Sequence, residues 1–435
     1  MSVFYVLTLA ACTLDEVTDP NAPDVNDVTT GDILNRINEL AVGVESTMRN
    51  GIGVETTSSG TMARELYLFD ADPRNTGDLL GKNGASLDNN SFYSTTQWTG
   101  NYTSIKSANL LIEAATNSPV ATEEQKQGYF GFAKTIQAYE FIQILKSYGE
   151  ARLDVADLNN LGELVDNPEV ILERVRKLLD EGLDHLNQAG DAFSFTLSSG
   201  FEGFDTPETF ARFNRAILAI TEVYDKNGME ALMALEDSFF GLNESFDLGP
   251  KHVFGLGSGD LANPLFKVPS LSETQSNNSD QIIVHNSWIE DAEEGDTRIR
   301  MKAAVRPDTI AQDDLNGTHE TRLYSSNISP IDIIRNEELI LVYAEANILV
   351  SNFDEAIRAL NIIRNAFELP NYSGMSTSEA LVDELLNQRR YSLWLENHRM
   401  YDLRRYNRSD QLSLDREGDQ IFNVLPIPLA ENLDR

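Results

Sequence analysis

Helical periodicity over most of its length is the feature that most constrains how this 435-residue chain can fold. Apolar residues recur every three or four positions, the spacing that places them on one face of an α-helix. The segments with this pattern are residues 33–44, 105–115, 133–145, 170–186, 211–235, 338–350 and 353–367. With 41% hydrophobic and 24% charged residues, the chain can also bury a large core. The sequence therefore predicts a mostly α-helical globular protein.

Residues 239–329 break the helical pattern. They are rich in Gly, Asn, Ser and Pro, with short apolar runs such as residues 281–285. We expect loops with a few short strands, inserted into the helical frame. A glycine-rich stretch at residues 255–260 lacks the Lys-Ser/Thr pair of a phosphate loop, so a turn is predicted there. Long irregular insertions of this kind often carry function.

The segments after the insertion suggest a helix pair of repeat length. Ala344 and Ala356 lie twelve positions apart and Leu360 follows four later. This spacing matches the small and large packing positions of a tetratricopeptide repeat. A further helix is predicted to begin at Ser376, since Glu379 completes a capping box with it.

The charge balance excludes one class of partner. The chain has 69 acidic and 34 basic residues, a formal net charge of −35. Such a surface repels phosphate backbones, so nucleic acid is not expected to bind. It also disfavours polyanionic ligands, although a local basic pocket could overcome the mean field.

The single cysteine, Cys12, lies close to the start of the chain. Residues 3–11 form an apolar run well short of the roughly 20 residues of a membrane-spanning helix. Residues 9–12 (LAAC) resemble the lipobox of bacterial lipoproteins, and the acidic residues that follow resemble the export signal of Bacteroidetes surface lipoproteins. We therefore expect a signal peptide at residues 1–11, lipidation at Cys12, a tether at residues 12–30 and one folded domain at residues 31–435. The signal peptide would lack the usual basic start, because the first basic residue is Arg36. The alternative is a buried N-terminal strand with an incidental cysteine.

Five stretches of the sequence resemble the SusD/RagB family. Residues 97–109 resemble the family's W…Y..I..AN segment, and residues 138–150 its AY…YG helix end. Residues 335–346 are similar to its R.aE..LmyAEA helix, residues 389–405 to RR.EL..EG.R..DLrR, and residues 425–428 to its closing PIP. One position departs from the pattern, because Asn397 stands where glycine is usual.

The resemblance implies both a fold and a function. The fold would be a SusD-like α-helical bundle with tetratricopeptide-like helix pairs and little sheet. The function would be that of a lipid-anchored protein on the outer face of the outer membrane. Such a protein binds oligosaccharide and delivers it to a SusC-like TonB-dependent transporter, with no cofactor and no covalent chemistry. The resemblance also leaves amino acids or peptides open as the cargo.

Trp98 is the first candidate for glycan contact. The faces of pyranose rings expose C–H groups, so they stack on flat aromatic rings. By resemblance, glycan-binding members of the family often carry an aromatic residue near this place. The alternative is a tryptophan that packs in the core beneath the following helix.

A second candidate group is Tyr67, Asp70, Asp72 and Arg74. Carboxylates and guanidinium groups can form paired hydrogen bonds with sugar hydroxyls. The alternative is a polar turn held by its own Asp side chains. Asp70 and Asp72 could also contact calcium, but the further ligands of an EF-hand loop are missing.

Trp288 and Tyr324, in the irregular middle region near His285 and Asn286, are candidates for specificity. A surface that contacts the transporter would look the same in sequence. Arg335 could reach the ligand or pair with neighbouring acids. The arginines between residues 389 and 408 alternate with aromatic and acidic residues, which favours structural pairing.

Two other functions stay open from the sequence. A surface-anchored helical-barrel glycoside hydrolase or polysaccharide lyase would need two carboxylates about 5–10 Å apart. A tetratricopeptide scaffold would bind only protein. The chain contains neither HExxH nor GxSxG, and its five histidines form no metal-ligand pair, so neither an enzyme nor a metal site is predicted.

Overall fold

A computed structural model describes residues 34–157, 160–272 and 280–432. The predicted signal peptide, Cys12 and the tether lie outside these residues. None of the helices in the described ranges is both long and apolar enough to cross a lipid bilayer.

The described chain is built mainly from helices, as the periodicity predicts. The N-terminal helices are α1 (Leu34–Thr47), α2 (Ile52–Met62), α3 (Phe92–Asn117), α4 (Glu123–Tyr148), α5 (Pro168–Leu186), α6 (Pro207–Tyr224) and α7 (Gly228–Glu236). The later helices are α8 (Asn286–Glu290), α9 (Thr297–Lys302), α10 (Asn336–Leu349), α11 (Phe353–Ala366), α12 (Ser378–Ser392) and α13 (Arg399–Arg405).

Local sequence signals set where several helices begin and end. Thr122 and Gln125 form a capping box at the start of α4, and Gly149 ends it with a left-handed φ of 73°. The cap of α12 is one residue later than predicted. Thr377, rather than Ser376, accepts a hydrogen bond from the backbone N–H of Ala380.

Two helical cores organise the bundle. The larger core contains residues from α1 and from each of the helices α3, α4, α5, α6 and α7. Ile105, Phe141 and Phe210 are among its almost fully buried residues. The second joins α10, α11 and α12. Ala344, Ala356 and Leu360 are all fully buried in this second core, as expected for a tetratricopeptide-like pair.

The middle region contains more regular sheet than the sequence predicts. Strands β1 (Leu66–Phe69), β5 (Gln281–Val284), β7 (Leu315–Thr321) and β6 (Ala303–Gln312) form one antiparallel sheet in that order. Asp313 and Asp314 join β6 to β7 with φ values of 55° and 64°, the conformation of a type I′ turn. Short pairs also form between β2 (Ala151–Arg152) and β3 (Leu164–Val165), and between β4 (Lys251–His252) and β8 (Ile331–Asp332).

The C-terminal arginines are structural, as their pattern predicts. The Nε of Arg389 lies 2.6 Å from Asp402 Oδ2, and Arg405 pairs with both Asp402 and Glu345. Glu345 is on α10, so these pairs join the last helix to the repeat-like pair. The segment that resembles the family's arginine-rich motif thus ties α10, α12 and α13 together.

The backbone conformation and hydrogen bonding of Asn397 account for its departure from the family pattern. Its φ is 57°, in the left-handed region where glycine is least strained and asparagine is the best-tolerated other residue. Its Nδ2 also donates to Glu55 Oε1 at 3.0 Å, inside the protein. Asparagine therefore meets the backbone requirement and adds a buried hydrogen bond.

This position gives a first prediction. Asn397→Gly and Asn397→Ala both remove the bond to Glu55, but only Ala adds the left-handed strain. We expect Asn397→Ala to be less stable than Asn397→Gly by about 1 kcal/mol, measured by urea unfolding. Equal midpoints for the two variants would show that the backbone conformation is not the constraint.

Candidate functional site

Helix α3 provides the platform of the candidate site. It is 26 residues long, and one side of it faces the core. Residues at successive turns on its other side are half-buried or exposed, namely Phe92, Thr95, Thr99, Thr103 and Lys106. At a rise of 1.5 Å per residue, this outer stripe runs about 21 Å from Phe92 to Lys106.

Trp98 lies at the inner edge of this stripe. Trp98 is only 4% exposed, because its ring packs against the rings of Tyr102 and Tyr148, with centroid distances of 4.7 and 5.0 Å. Its Nε1 donates to Glu431 Oε1 at 3.3 Å. The alternative of a core tryptophan therefore fits the structure better than a freely exposed stacking ring. Trp98 is nevertheless among the residues that line a neighbouring pocket.

That pocket opens beside the middle of α3 and has a volume of about 260 Å³. This volume is just below the range of about 300–1,000 Å³ that is typical of sites for drug-sized ligands. A pocket of this volume suits one or two sugar rings. Its lining combines aromatic and aliphatic surface with hydroxyl and charged groups: Trp98, Thr99, Tyr102, Thr103, Lys106, Arg152, Val155, Leu161 and Glu431.

Tyr102 is the more accessible aromatic residue of the pocket. Its ring is half-buried, and its hydroxyl is fixed between the N–H and carbonyl of Arg152, at 2.7 and 3.1 Å. Burial raises the pKa of Tyr102 well above its ordinary value, so the hydroxyl stays protonated. The pocket thus presents a neutral, immobilised ring, which is what stacking on a sugar requires.

Arg152 and Glu431 form the polar wall of the pocket. Glu431 Oε2 lies 3.1 Å from the Arg152 guanidinium, while its Oε1 accepts from Trp98. Arg152 also donates to the Gly162 carbonyl. Both charges are held in place by protein partners before any ligand arrives.

Tyr102 and Lys106 line the pocket but are not among the residues predicted for the site. Trp98, Tyr102 and Lys106 are each four positions apart on one helix, a spacing that places side chains on the same face. That spacing is the sequence signal that places Tyr102 and Lys106 beside Trp98. It shows that the neighbours of a candidate tryptophan can be better placed than the tryptophan itself.

The predicted group at residues 67–74 divides into a core residue and a structured turn. Tyr67 is 3% exposed and stacks on Phe69, so it offers no ring to a ligand. Asp70 accepts from the Asp72 N–H and from Asn75 Nδ2. Asp72 caps the short helix that follows and pairs with Arg74.

The polar-turn alternative is therefore what the structure shows for Asp70 and Asp72. Arg74 remains partly exposed, and its guanidinium lies 4.8 Å above the Phe92 ring at the start of the α3 stripe. Within the described ranges, no three His, Cys, Asp or Glu side chains are grouped so as to hold a metal ion.

Trp288, a candidate for specificity, is a core residue and offers no ring face to a ligand. Its side chain is 0% exposed because Tyr391 and Trp394 cover it, with centroids 5.1 and 5.2 Å away. Tyr324 is half-buried and packs against the same hydrophobic cluster. Neither lies in the pocket beside α3.

Arg335 follows the ion-pair alternative. It is 5% exposed and pairs with Glu337 at 2.8 Å and Glu396 at 2.5 Å. Burial alone would lower the pKa of Arg335, but these carboxylates outweigh it and hold the pKa above its usual value. The guanidinium is enclosed by its acidic partners, and Arg335 is not among the residues that line the pocket beside α3.

One hydrogen-bonded series has the composition of a hydrolytic triad. His285 lies between Ser287 Oγ at 2.9 Å and Asp415 Oδ1 at 2.8 Å. However, His285 Nδ1 also accepts the Ser287 N–H as the cap of α8, and Ser287 Oγ accepts from Arg390. The base and the hydroxyl are both engaged in holding the helix start, so this series is a helix cap.

Comparison with known proteins places the fold. Residues 293–432 match the SusD family model. A SusD superfamily protein from Bacteroides vulgatus is 17% identical, with a TM-score of 0.69 over 92% of this chain and 97% of that one. Surface glycan-binding protein A from Bacteroides thetaiotaomicron is 15% identical, with a TM-score of 0.70 over 91% and 96%.

The same glycan-binding protein in complex with laminarihexaose matches with a TM-score of 0.68 at 15% identity, over 92% of this chain and 97% of that one. A comparison with curated protein sequences gives no match. At these identities the structural likeness establishes the fold. The family match over residues 293–432 and the shared fold together confirm the resemblance to the SusD/RagB family.

Proposed function

We propose that this protein is a surface glycan-binding lipoprotein whose binding site is the outer stripe of α3 and the pocket beside Tyr102. It would capture oligosaccharide at the cell exterior, held to the outer membrane through a lipid on Cys12. It would then deliver the sugar to a SusC-like TonB-dependent transporter.

The observation that carries the proposal is Tyr102, a half-buried aromatic residue whose hydroxyl is fixed by Arg152 and which lines the pocket together with Val155 and Leu161. Around it lie the hydroxyls of Thr99 and Thr103, whose oxygens can accept from sugar hydroxyls. The fold is shared with a protein whose structure contains bound laminarihexaose, which supports an oligosaccharide as the ligand class.

The pocket chemistry favours capture over cleavage. Glycoside hydrolysis generally needs two carboxylates about 5–10 Å apart. Among the lining residues that the structure describes, Glu431 is the one carboxylate, and it is engaged by Trp98 and Arg152. A site this small also predicts modest affinity, in the micromolar to millimolar range of about 4–8 kcal/mol.

Isothermal titration against a panel of neutral and acidic oligosaccharides tests the proposal. For any glycan that binds, Tyr102→Ala should weaken affinity at least about tenfold, the loss of roughly 1.4 kcal/mol of stacking. Tyr372→Ala is the matched control, because Tyr372 is a half-buried tyrosine outside the pocket. The Tyr372→Ala variant should bind the same glycan with unchanged affinity.

Three results would overturn parts of this proposal. Absence of binding to the whole panel would remove glycan capture, and release of reducing sugar by the purified protein would replace capture with catalysis. Mass spectrometry of membrane-extracted protein should find acylated Cys12, and affinity purification should recover a TonB-dependent transporter. An unacylated Cys12 would remove the anchor.

A further inference from the structure

We infer that the pocket beside Tyr102 binds a sugar with an anionic substituent, such as a uronic acid, within an otherwise neutral glycan. This inference rests on the proposed function, since it names the ligand class of the same site. It is carried by the charge arrangement around Lys106.

Lys106 is an exposed cation at the edge of the pocket, and it has no hydrogen-bond or ion-pair partner among the residues that the structure describes. Lysines elsewhere commonly have one. Lys134 pairs with Glu181 at 2.6 Å, Lys82 with Asp313, and Lys251 with Asp332. In a chain with 69 acids and 34 bases, an unpaired lysine beside a pocket is a cation available to a ligand.

The remaining charges of the pocket cancel. Arg152 and Glu431 form an ion pair, and their side chains are only 13% and 27% exposed. The other lining residues are aromatic, aliphatic or hydroxyl-bearing. Among the described residues that line the pocket, Lys106 therefore leaves a net charge of +1, in a protein of net charge −35.

The surface along α3 limits how many charges the ligand can carry. Residues 92–105 contain no Asp, Glu, Lys or Arg. Arg74, which lies over Phe92 at the start of the stripe, is paired with Asp72, so the stripe that leads to Lys106 carries no net charge. A densely charged glycan would place further anions on this neutral stripe, in the negative field of the whole protein. A glycan with isolated acidic residues would place its one charge at Lys106 and neutral rings elsewhere.

The test uses an array of neutral, sparsely acidic and densely acidic oligosaccharides. Each acidic glycan that binds is then compared with its carboxyl-reduced form, in which the carboxylate becomes a hydroxymethyl group. We expect reduction to weaken binding about 5–20-fold, and 0.5 M NaCl to weaken the acidic form more than the reduced one. Densely acidic glycans should bind less well than sparsely acidic ones.

Substitutions at Lys106 assign the effect. Lys106→Gln should remove the difference between the acidic and reduced forms, while Lys106→Arg should keep it. Lys177→Gln makes the same change in net charge on α5, outside the pocket, and should leave the difference intact.

The outcomes separate this inference from the proposed function. If neutral glycans bind through Tyr102 and carboxyl reduction changes nothing, the inference is overturned and glycan capture stands. Preference for densely acidic glycans would also overturn it. If no glycan of any charge binds, the proposed function itself fails.

Discussion

Replacing Arg389 by Ala is expected to lower the free energy of unfolding by about 3–5 kcal/mol, the usual cost of leaving a buried charge without its partner. Arg389 is 2% exposed, and its Nε lies 2.6 Å from Asp402 Oδ2. Burial alone would raise the pKa of Asp402, but Arg389 and Arg405 outweigh it and hold the pKa below its ordinary value. The carboxylate therefore stays ionised inside the protein and depends on both arginines.

Chemical unfolding followed by circular dichroism measures this effect. Arg358→Ala is the matched control, because Arg358 is 57% exposed and pairs with Glu355 on the surface of α11. Surface pairs contribute about 0–1 kcal/mol, so this variant should unfold almost as the parent does. Similar losses for Arg389→Ala and Arg358→Ala would mean that the buried pairs do not hold α10, α12 and α13 together.

The second large effect concerns pH. Glu55 is 6% exposed, and burial raises its pKa to about 7, against the opposing influence of Lys146, Ser147 and Asn397. The folded state therefore binds a proton more tightly at Glu55 than the unfolded state does. The stability that this tighter proton binding at Glu55 contributes is fully present below the unfolded pKa of about 4.5. It is lost as the pH rises through about 7.

Glu55→Gln should consequently be more stable than the parent at pH 8, by on the order of 2–3 kcal/mol, and nearly equal to it at pH 5. The Gln carbonyl oxygen can still accept from Ser147 and Asn397, which limits other losses. Thermal melts at the two pH values measure this difference. Glu123→Gln, at an 83% exposed surface acid, should show no such pH-dependent gain.

A gain for Glu55→Gln that is the same at pH 5 and pH 8 would contradict proton uptake by this carboxyl as the cause. Glu338, whose pKa burial also raises to about 7, adds to the same trend in the parent protein. Some pH dependence should therefore remain in Glu55→Gln. It should be smaller than in the parent.

The helical frame could be predicted from sequence because its signals are local. The apolar spacing within α5 and within α11 repeats over a few turns of a single helix. The glycine that ends α4 directly follows that helix. The β6–β7 hairpin was missed because its turn is Asp313-Asp314. This pair reaches the required positive φ values without the glycine that usually announces a hairpin.

The candidate site was harder to predict because exposure depends on tertiary packing. Trp288 looked like a surface ring in a loop-rich segment, but Tyr391 and Trp394, about a hundred residues later, cover it. Glu431 likewise comes from a distant part of the chain to contact both Trp98 and Arg152. Periodicity could place Tyr102 and Lys106 on one face of α3, but it could not say that this face stays open.

The most direct test of the central claim is a crystal structure of the protein with a bound oligosaccharide identified by titration. A sugar ring should lie against Tyr102, with further rings along the Thr99 and Thr103 side of α3. Density for the glycan elsewhere, for example in the open groove beside Arg300 and His319 between α9 and the β6–β7 hairpin, would contradict it.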